Sequence, residues 1–473
     1  MNALLAALSV ALGAAVALGV RDGAAAVVLC AAFALLAGVA VAQAEERQRA
    51  FLLRVFVGAL LVRMLVGALI NVFKLQEFFG GDAFTYDSFG TALVDYFHGG
   101  PWPADLSNWA RAGGGWGMPY LVAFVYLLAG RNMLAAQFFN AVVGAATAPV
   151  IFLCAHHIFQ NVRVAKIAAL CVAFYPSLVL WSSQELKDGP IVFLLALSML
   201  ATLKLGERVS AKYLAALVLA MFALITLRFY VFYMVAAAVA GAFVIGMRPL
   251  TSQSLARQLV IIVALGLGLT YLGVLRTAGA QLETFSDLSV VQRSRADLAQ
   301  SARSGFGRDV DVSTAEGALS AIPVGITYLL FAPFPWQIAN LRQSITLPEM
   351  IAWWSAFPLL VIGIWFTLRY RMRQALPILI FTSMLTLAYS IFQGNVGTAY
   401  RQRSQILVFY FIFVAVGAVL LKERQEDRQR QNALAKRAVA EAARAAAAAR
   451  RRRWRREAGL GPVAGHLPER ADF

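Results

Sequence analysis

The chain has 473 residues, 60% hydrophobic and 14% charged, with a mean hydropathy of +0.68 and a formal net charge of +17. Soluble domains carry roughly 25% charged residues, so the composition excludes one and points to an integral membrane protein. The basic charge does not point to nucleic acid: 13 basic against 5 acidic residues lie between Lys422 and Glu457, and most of the rest falls in short joints between apolar runs, as the positive-inside rule requires.

Apolar runs of about 18 residues or more recur from end to end, which predicts many spanning segments. Strict period-2 alternation is missing, so the spans are helices and not a barrel. Cys30, Cys154 and Cys171 all sit inside apolar runs, with neither a disulfide framework nor ligand spacing.

In chain order, spans are predicted at 2–20, 24–43 and 51–73. The first lacks a basic n-region and reads as a retained span, not a cleaved signal. Arg47, Arg49 and Arg54 place the second joint on the cytoplasmic side, so the loop at 74–117 faces outward. The piece 118–128 is short and is placed at the interface. Spans follow at 133–159, 167–183, 190–205, 213–228, 230–246 and 258–275. The joints at Arg163 and Lys166, at Glu207 to Lys212 and at Arg248 to Arg257 fall inside. Gln184 to Asp188 and Arg228 to Tyr230 fall outside. In the long polar region 276–348, the apolar piece 322–334 is interrupted by Pro323, Pro333 and Pro335 and reads as re-entrant or interfacial. Spans at 349–368, 375–392 and 405–421 complete twelve crossings with both termini cytoplasmic.

The predicted class is therefore all-α and polytopic. Residues 1–421 form the membrane domain, with outer loops at 74–132 and 276–348. Residues 422–473 form a basic tail, helical and then disordered. Its run Arg450 to Arg456 around Trp454 would attract anionic lipid head groups by about 1 kcal/mol per basic residue, or simply be a solvated helix.

Chemistry is expected in the first outer loop, which holds Glu77, Asp82, Asp87, Asp95 and Asp105 against Lys74 and Arg111. Asp82 follows Gly80 and Gly81 just beyond a span, where a tight turn can set a carboxylate at the membrane surface as a general base. The competing reading is an acidic helix cap. Tyr86, Tyr96, Trp102, Trp109 and Trp116 suit an interfacial belt or a surface for sugar rings. Glu185, Lys187, Asp188, Arg228, Arg401 and Arg403 lie on the expected outer side, where the cations would suit a phosphate or diphosphate or would pair with the carboxylates. The histidines lack metal-ligand spacing: His156 and His157 end a span, His98 is single and His466 is in the tail. A divalent cation between Asp82 and Asp87 is an open alternative; no other cofactor is indicated.

The order of motifs resembles a known class. Gly81-Asp82-Ala83 with Tyr86 is followed by Gly130-Arg131-Asn132, Phe139-Asn140-Ala141, Ala168-Ala169, Phe174-Tyr175-Pro176-Ser177 and Leu186-Lys187-Asp188. Over roughly 50–421 this resembles the GT-C membrane glycosyltransferases, especially bacterial relatives of protein O-mannosyltransferases and lipid A aminoarabinose transferases. Leu330 to Trp336 and Gly394 to Arg401 look like polysaccharide-locus members of that group.

The resemblance implies an inverting transferase of the bacterial inner membrane, working on its outer face with a polyprenyl-phosphate or diphosphate sugar as donor. The acceptor would be a glycan, a lipid or a protein. Asp82 matches the family's catalytic base. Tyr86, Asp87, Glu185, Lys187, Asp188, Arg228, Arg401 and Arg403 would line the substrate site. Ala83 departs from the O-mannosyltransferases' Asp-Glu pair, which argues against a protein acceptor. The hairpin 2–43 is an addition, and the large C-terminal soluble domain of some relatives is not expected. Two rivals stay open. A polymerase or ligase of lipid-linked glycans would use Arg293, Arg295, Arg303 and Arg308. A transporter would carry charges in mid-span, whereas here charges are expected only at span ends.

Overall fold

Residues 133–159 are apolar on every side, and a helix of that kind is stable only when enclosed. In the computed structural model this helix is the centre around which the others pack. The structure describes residues 3–459 apart from 112–114, 248–250, 286, 301–303, 308–309 and 339. Arg248, Arg303, Arg308 and His466 therefore lie outside the described residues.

The helices are α1 (Ala3–Gly19), α2 (Gly23–Ala44), α3 (Arg49–Val72), α4 (Gln76–Phe79), α5 (Asp82–Phe97), α6 (Ala104–Arg111) and α7 (Gly117–Ala129). After them come α8 (Met133–Phe159), α9 (Val162–Phe174), α10 (Pro176–Ser182), α11 (Asp188–Glu207), α12 (Ala211–Leu227), α13 (Phe229–Ile245) and α14 (Ser252–Tyr271). The last are α15 (Val274–Phe285), α16 (Leu288–Gln300), α17 (Ala315–Phe331), α18 (Leu341–Tyr370), α19 (Met372–Phe392), α20 (Val396–Gln402) and α21 (Ser404–Glu457).

Every predicted span is occupied by helix. Among the described residues eight helices are long and apolar enough to cross a membrane, or nine if α9 and α10 form one bent span. The other three, α1, α12 and α13, are apolar helices of 17 residues each. The protein is all-α and polytopic.

Two compact units divide the chain, Met1–Gly417 and Ala418–Phe473. In the first, α8 packs against α2, α3, α9 and α11, while α13 and α17 pack against α19. Small side chains permit the close approaches: a Cβ added at Gly144 of α8 would stand 2.4 Å from the Ser182 Cβ. Large apolar side chains such as Leu18, Val28, Leu35 and Val361 are exposed on the outside, as lipid-facing positions require. The second unit is helical to Glu457 and exposed along almost all of its described length.

Three features differ from the sequence expectations. Pro323 lies inside α17 and does not end it, whereas Pro333 and Pro335 follow the helix. The Pro323 ring removes one backbone bond, which packing on α19 tolerates. The region 276–348 is mostly helix, and α18 begins at Leu341.

Arg63 is the third: it is a charge in mid-span, 1% exposed, near the centre of α3. The chain breaks between α9 and α10 with a 54° bend, because Pro176 has no N–H for the Val172 carbonyl. Arg63 fills that gap. Its Nη1 donates to Ala173 O at 2.7 Å, its Nη2 to Val172 O at 3.4 Å and its Nε to Ser182 Oγ at 2.8 Å. A buried cation is tolerable when its donors meet oxygens in this way. Arg63 thus holds the break's backbone together, a structural role that gives the transporter alternative no support.

Candidate active site

Gly80 and Gly81 turn the chain after α4, and Gly81 is the N-cap of α5. Asp82 is consequently the first helical residue and not the cap. Its carboxylate, 53% exposed, accepts from Arg401 Nη1 at 2.7 Å. Arg401 is 319 residues away in sequence and is carried on α20. That short helix is pinned at its start: Phe306 N donates to Gly394 O at 2.8 Å and Val396 N to Ser304 O at 3.1 Å. The Asn395 side chain accepts from Gly397 N at 2.8 Å and caps the helix.

The same guanidinium reaches Asp188, with Nε at 2.7 Å and Nη2 at 2.6 Å from Oδ2. Asp188 opens α11 with its side chain wholly buried, and its Oδ1 lies 3.4 Å from Arg228 Nη2. Arg228 sits in the extended link between α12 and α13. Four segments thus contribute to one line of alternating charge: Asp82, Arg401, Asp188, Arg228. Shared ionic hydrogen bonds make it rigid and electrostatically coupled.

Lys187 stands beside that line. Burial, then the positive charges of Arg228 and Arg401, pull its ammonium down to about 8. It belongs to the buried loop 183–187, which is held by one side chain: Asn140 Nδ2 donates to Gln184 O at 2.7 Å and to Leu186 O at 2.8 Å. Tyr86 is buried on α5, and burial followed by the Asp82 charge pushes its hydroxyl up. Its ring meets Trp109 edge-on, with centroids 6.1 Å apart.

Asp82, Lys187, Arg228 and Arg401 line a cavity of about 1030 Å³, whose wall has an apolar side that includes Val62, Val66, Phe174 and Leu180. Four cations line it, Lys187, Arg228, Arg342 and Arg401, against the carboxylates of Asp82 and Glu349, a lining of net positive charge suited to an anion. Tyr86, Tyr96, Trp102, Trp109 and Trp116 are not among the described lining residues. Tyr96 meets Trp102, and Trp116 meets Tyr120, so the loop's aromatics pack on one another.

Asp87 and Glu185 form a separate buried group. Arg131 forks onto Asp87, with Nε to Oδ1 at 3.2 Å and Nη2 to Oδ2 at 2.6 Å. The Tyr126 hydroxyl lies 2.7 Å from Asp87 Oδ1 and 3.4 Å from Glu185 Oε2. Burial, then the Asp87 charge, holds the Glu185 carboxyl well above the ordinary range. Asp82 and Asp87 meet different arginines, and among the described residues no group of three or more His, Cys, Asp or Glu could hold a metal ion.

Arg403 does not join the charged line. It is fully buried, and Nη1 donates to Leu330 O at 3.0 Å and Ala332 O at 3.2 Å. Sequence reasoning also missed contributors. Asn140 was visible only as part of a motif, with no role. Arg63 carried a readable signal, a lone charge within an apolar run. Tyr126, Trp181 and Glu349 carried none, because nothing in one sequence tells a cavity wall from a core.

A model of the family described as dolichyl-phosphate-mannose-protein mannosyltransferase matches residues 115–272. That stretch contains Lys187, Asp188 and Arg228. None of the curated proteins matches the chain. Among solved structures, the Archaeoglobus fulgidus oligosaccharyltransferase in the apo form is 13% identical with a TM-score of 0.45, over 80% of this chain and 52% of that one. Its complex with Zn and sulfate is 16% identical with a TM-score of 0.41, over 66% and 41%. An archaeal oligosaccharyltransferase from the same organism, in complex with an inhibitory peptide and a dolichol-phosphate, is 16% identical with a TM-score of 0.37, over 67% and 43%. The chain spans about half the length of these structures. The likeness to that mannosyltransferase family lies within residues 115–272.

Proposed function

We propose that the protein transfers a sugar from a polyprenyl-phosphate or diphosphate donor to a glycan, lipid or protein acceptor on the outer face of the membrane. The observation that carries this reading is the convergence of Asp82, Arg401, Arg228 and Lys187 on a cavity with an apolar side, with buried Asp188 tying Arg401 to Arg228 behind it. A lipid phosphate needs both surfaces. The likeness of residues 115–272 to the dolichyl-phosphate-mannose-protein mannosyltransferases supports the same class of donor.

In this reading the donor's phosphate lies against Arg401, Arg228 and Lys187, and its lipid against the apolar wall. Asp82 accepts the proton of the acceptor hydroxyl, whose oxygen attacks the anomeric carbon. The bond from that carbon to the phosphate oxygen breaks, its electron pair leaves with the phosphate, and the centre inverts. Phosphate is a good leaving group, so no general acid is required; the cations stabilise the charge as it develops. Arg401 touches the base and the leaving group alike, which couples donor arrival to release of Asp82.

The test is transfer by purified protein in lipid, with lipid-linked sugars and candidate acceptors from the host and released polyprenyl phosphate as readout. Asp82→Asn should lower the rate by roughly 10²- to 10⁴-fold with the fold intact. Equal rates for the two proteins would remove Asp82 from the mechanism.

A further inference from the structure

The cavity has a second polar wall that the phosphate reading does not use. Ser177 and Trp181 are four residues apart on α10 and so share one face. Both line the cavity, at 1% and 8% exposure, and Ser177 Oγ and Trp181 Nε1 make no hydrogen bond within the protein. Glu349 of α18 lines the same cavity at 6% exposure. Its Oε2 accepts from the Tyr400 hydroxyl at 2.7 Å, and the Tyr175 hydroxyl bonds the same carboxylate. Buried polar groups are nearly always partnered, so the unpartnered Ser177 Oγ and Trp181 Nε1, beside a carboxylate that lines the same cavity, ask for a ligand with several polar groups of its own.

The second wall adjoins the first. Tyr400 and Arg401 are consecutive on α20: one holds Glu349, the other Asp82 and Asp188. The Trp181 ring touches both, 6.4 Å from the Tyr400 centroid and with Arg401 Cζ 5.7 Å above it. A carboxylate accepts from hydroxyl groups, an indole N–H donates to an oxygen, and a serine hydroxyl does either. A polyhydroxylated ring attached to a phosphate presents such groups, whereas a polyprenyl chain presents none.

We propose that Ser177, Trp181 and Glu349 form the subsite that reads the hydroxyl groups of the donor's sugar ring, next to the phosphate held at Arg401. This rests on the transferase reading above. A site built around hydroxyl groups discriminates strongly against rings that lack them, so these three residues set which sugar is moved.

The experiment measures binding of bare polyprenyl phosphate and of its mannosyl, glucosyl and galactosyl forms to protein in lipid nanodiscs. Wild type should bind at least one sugar-bearing lipid about tenfold more tightly than the bare phosphate. Glu349→Gln and Trp181→Phe keep side-chain size and should each abolish that preference, leaving the bare lipid within roughly twofold; Ser177→Ala should act in the same direction more weakly. Equal weakening of bare and glycosylated lipids would make these residues structural and overturn the subsite. So would a preference that survives both substitutions, or equal binding of all four lipids by wild type. Binding of none of the four by wild type would overturn the transferase reading itself.

Discussion

At the scale of single residues, Asp82 and Lys187 differ in what limits them. Asp82 is half exposed and tied to one guanidinium, so its chemistry depends on where Arg401 sits. Arg401→Lys keeps the charge but loses the fork that spans Asp82 and Asp188, and transfer should fall about 10- to 100-fold at normal protein yield. Arg401→Ala should also destabilise the protein, since it strips buried Asp188 of its nearest cation. Lys187 is limited by its proton. With its ammonium drawn down to about 8, it is charged below that pH and neutral above it. The apparent KM for the lipid donor should therefore rise as pH passes from 7 to 9, and Lys187→Arg, which stays charged, should flatten the rise. Steady-state kinetics across that range are the check.

At the scale of elements, function depends on a broken span and on the loop behind it. The bend between α9 and α10 turns Ser177 and Trp181 to the cavity and delivers the loop 183–187 beside Asp188. Arg63 and Asn140 hold these two pieces by their backbone carbonyls. Arg63→Met should leave carbonyls unsatisfied at about 1–3 kcal/mol each, lowering the thermal midpoint in detergent. Asn140→Ala should lower transfer while Asp82 and Arg401 remain paired. If the midpoint of Arg63→Met matched wild type, another group must satisfy the break.

At the scale of the whole molecule, stability carries its own pH dependence through Glu185. A carboxyl held well above the ordinary range in the fold is protonated there while the unfolded chain has already ionised. Stability is therefore greatest at low pH and falls as pH rises from the usual carboxylate range towards the raised value. Glu185→Gln should remove this part of the decline, as thermal midpoints at pH 5, 7 and 9 would reveal. Orientation is a second question at this scale. The distribution of basic joints predicts that a cysteine placed at Asp95 reacts with an impermeant reagent from outside the cell and one placed at Leu434 does not. All the described residues that line the cavity belong to Met1–Gly417, so deletion from Lys422 onward should leave transfer within about twofold.

Helical spans, their order and the acidic loop were readable from the chain alone, because burial in lipid imposes length, apolarity and internal hydrogen bonding on every crossing. The glycine turn before Asp82 and the cations at Lys187, Arg228 and Arg401 were readable as candidates for the same reason: charge at a span end calls for a partner. Which partner each one takes was not. Arg401 lies 319 positions from Asp82, Asp87 and Glu185 meet through a tyrosine on a third helix, and Arg403 turns into the core two residues after Arg401. Those choices are made by packing, through the bend at Pro176 and the bridge at Gly305 and Asn395, because local sequence fixes a helix and its faces while only tertiary contacts bring distant faces together.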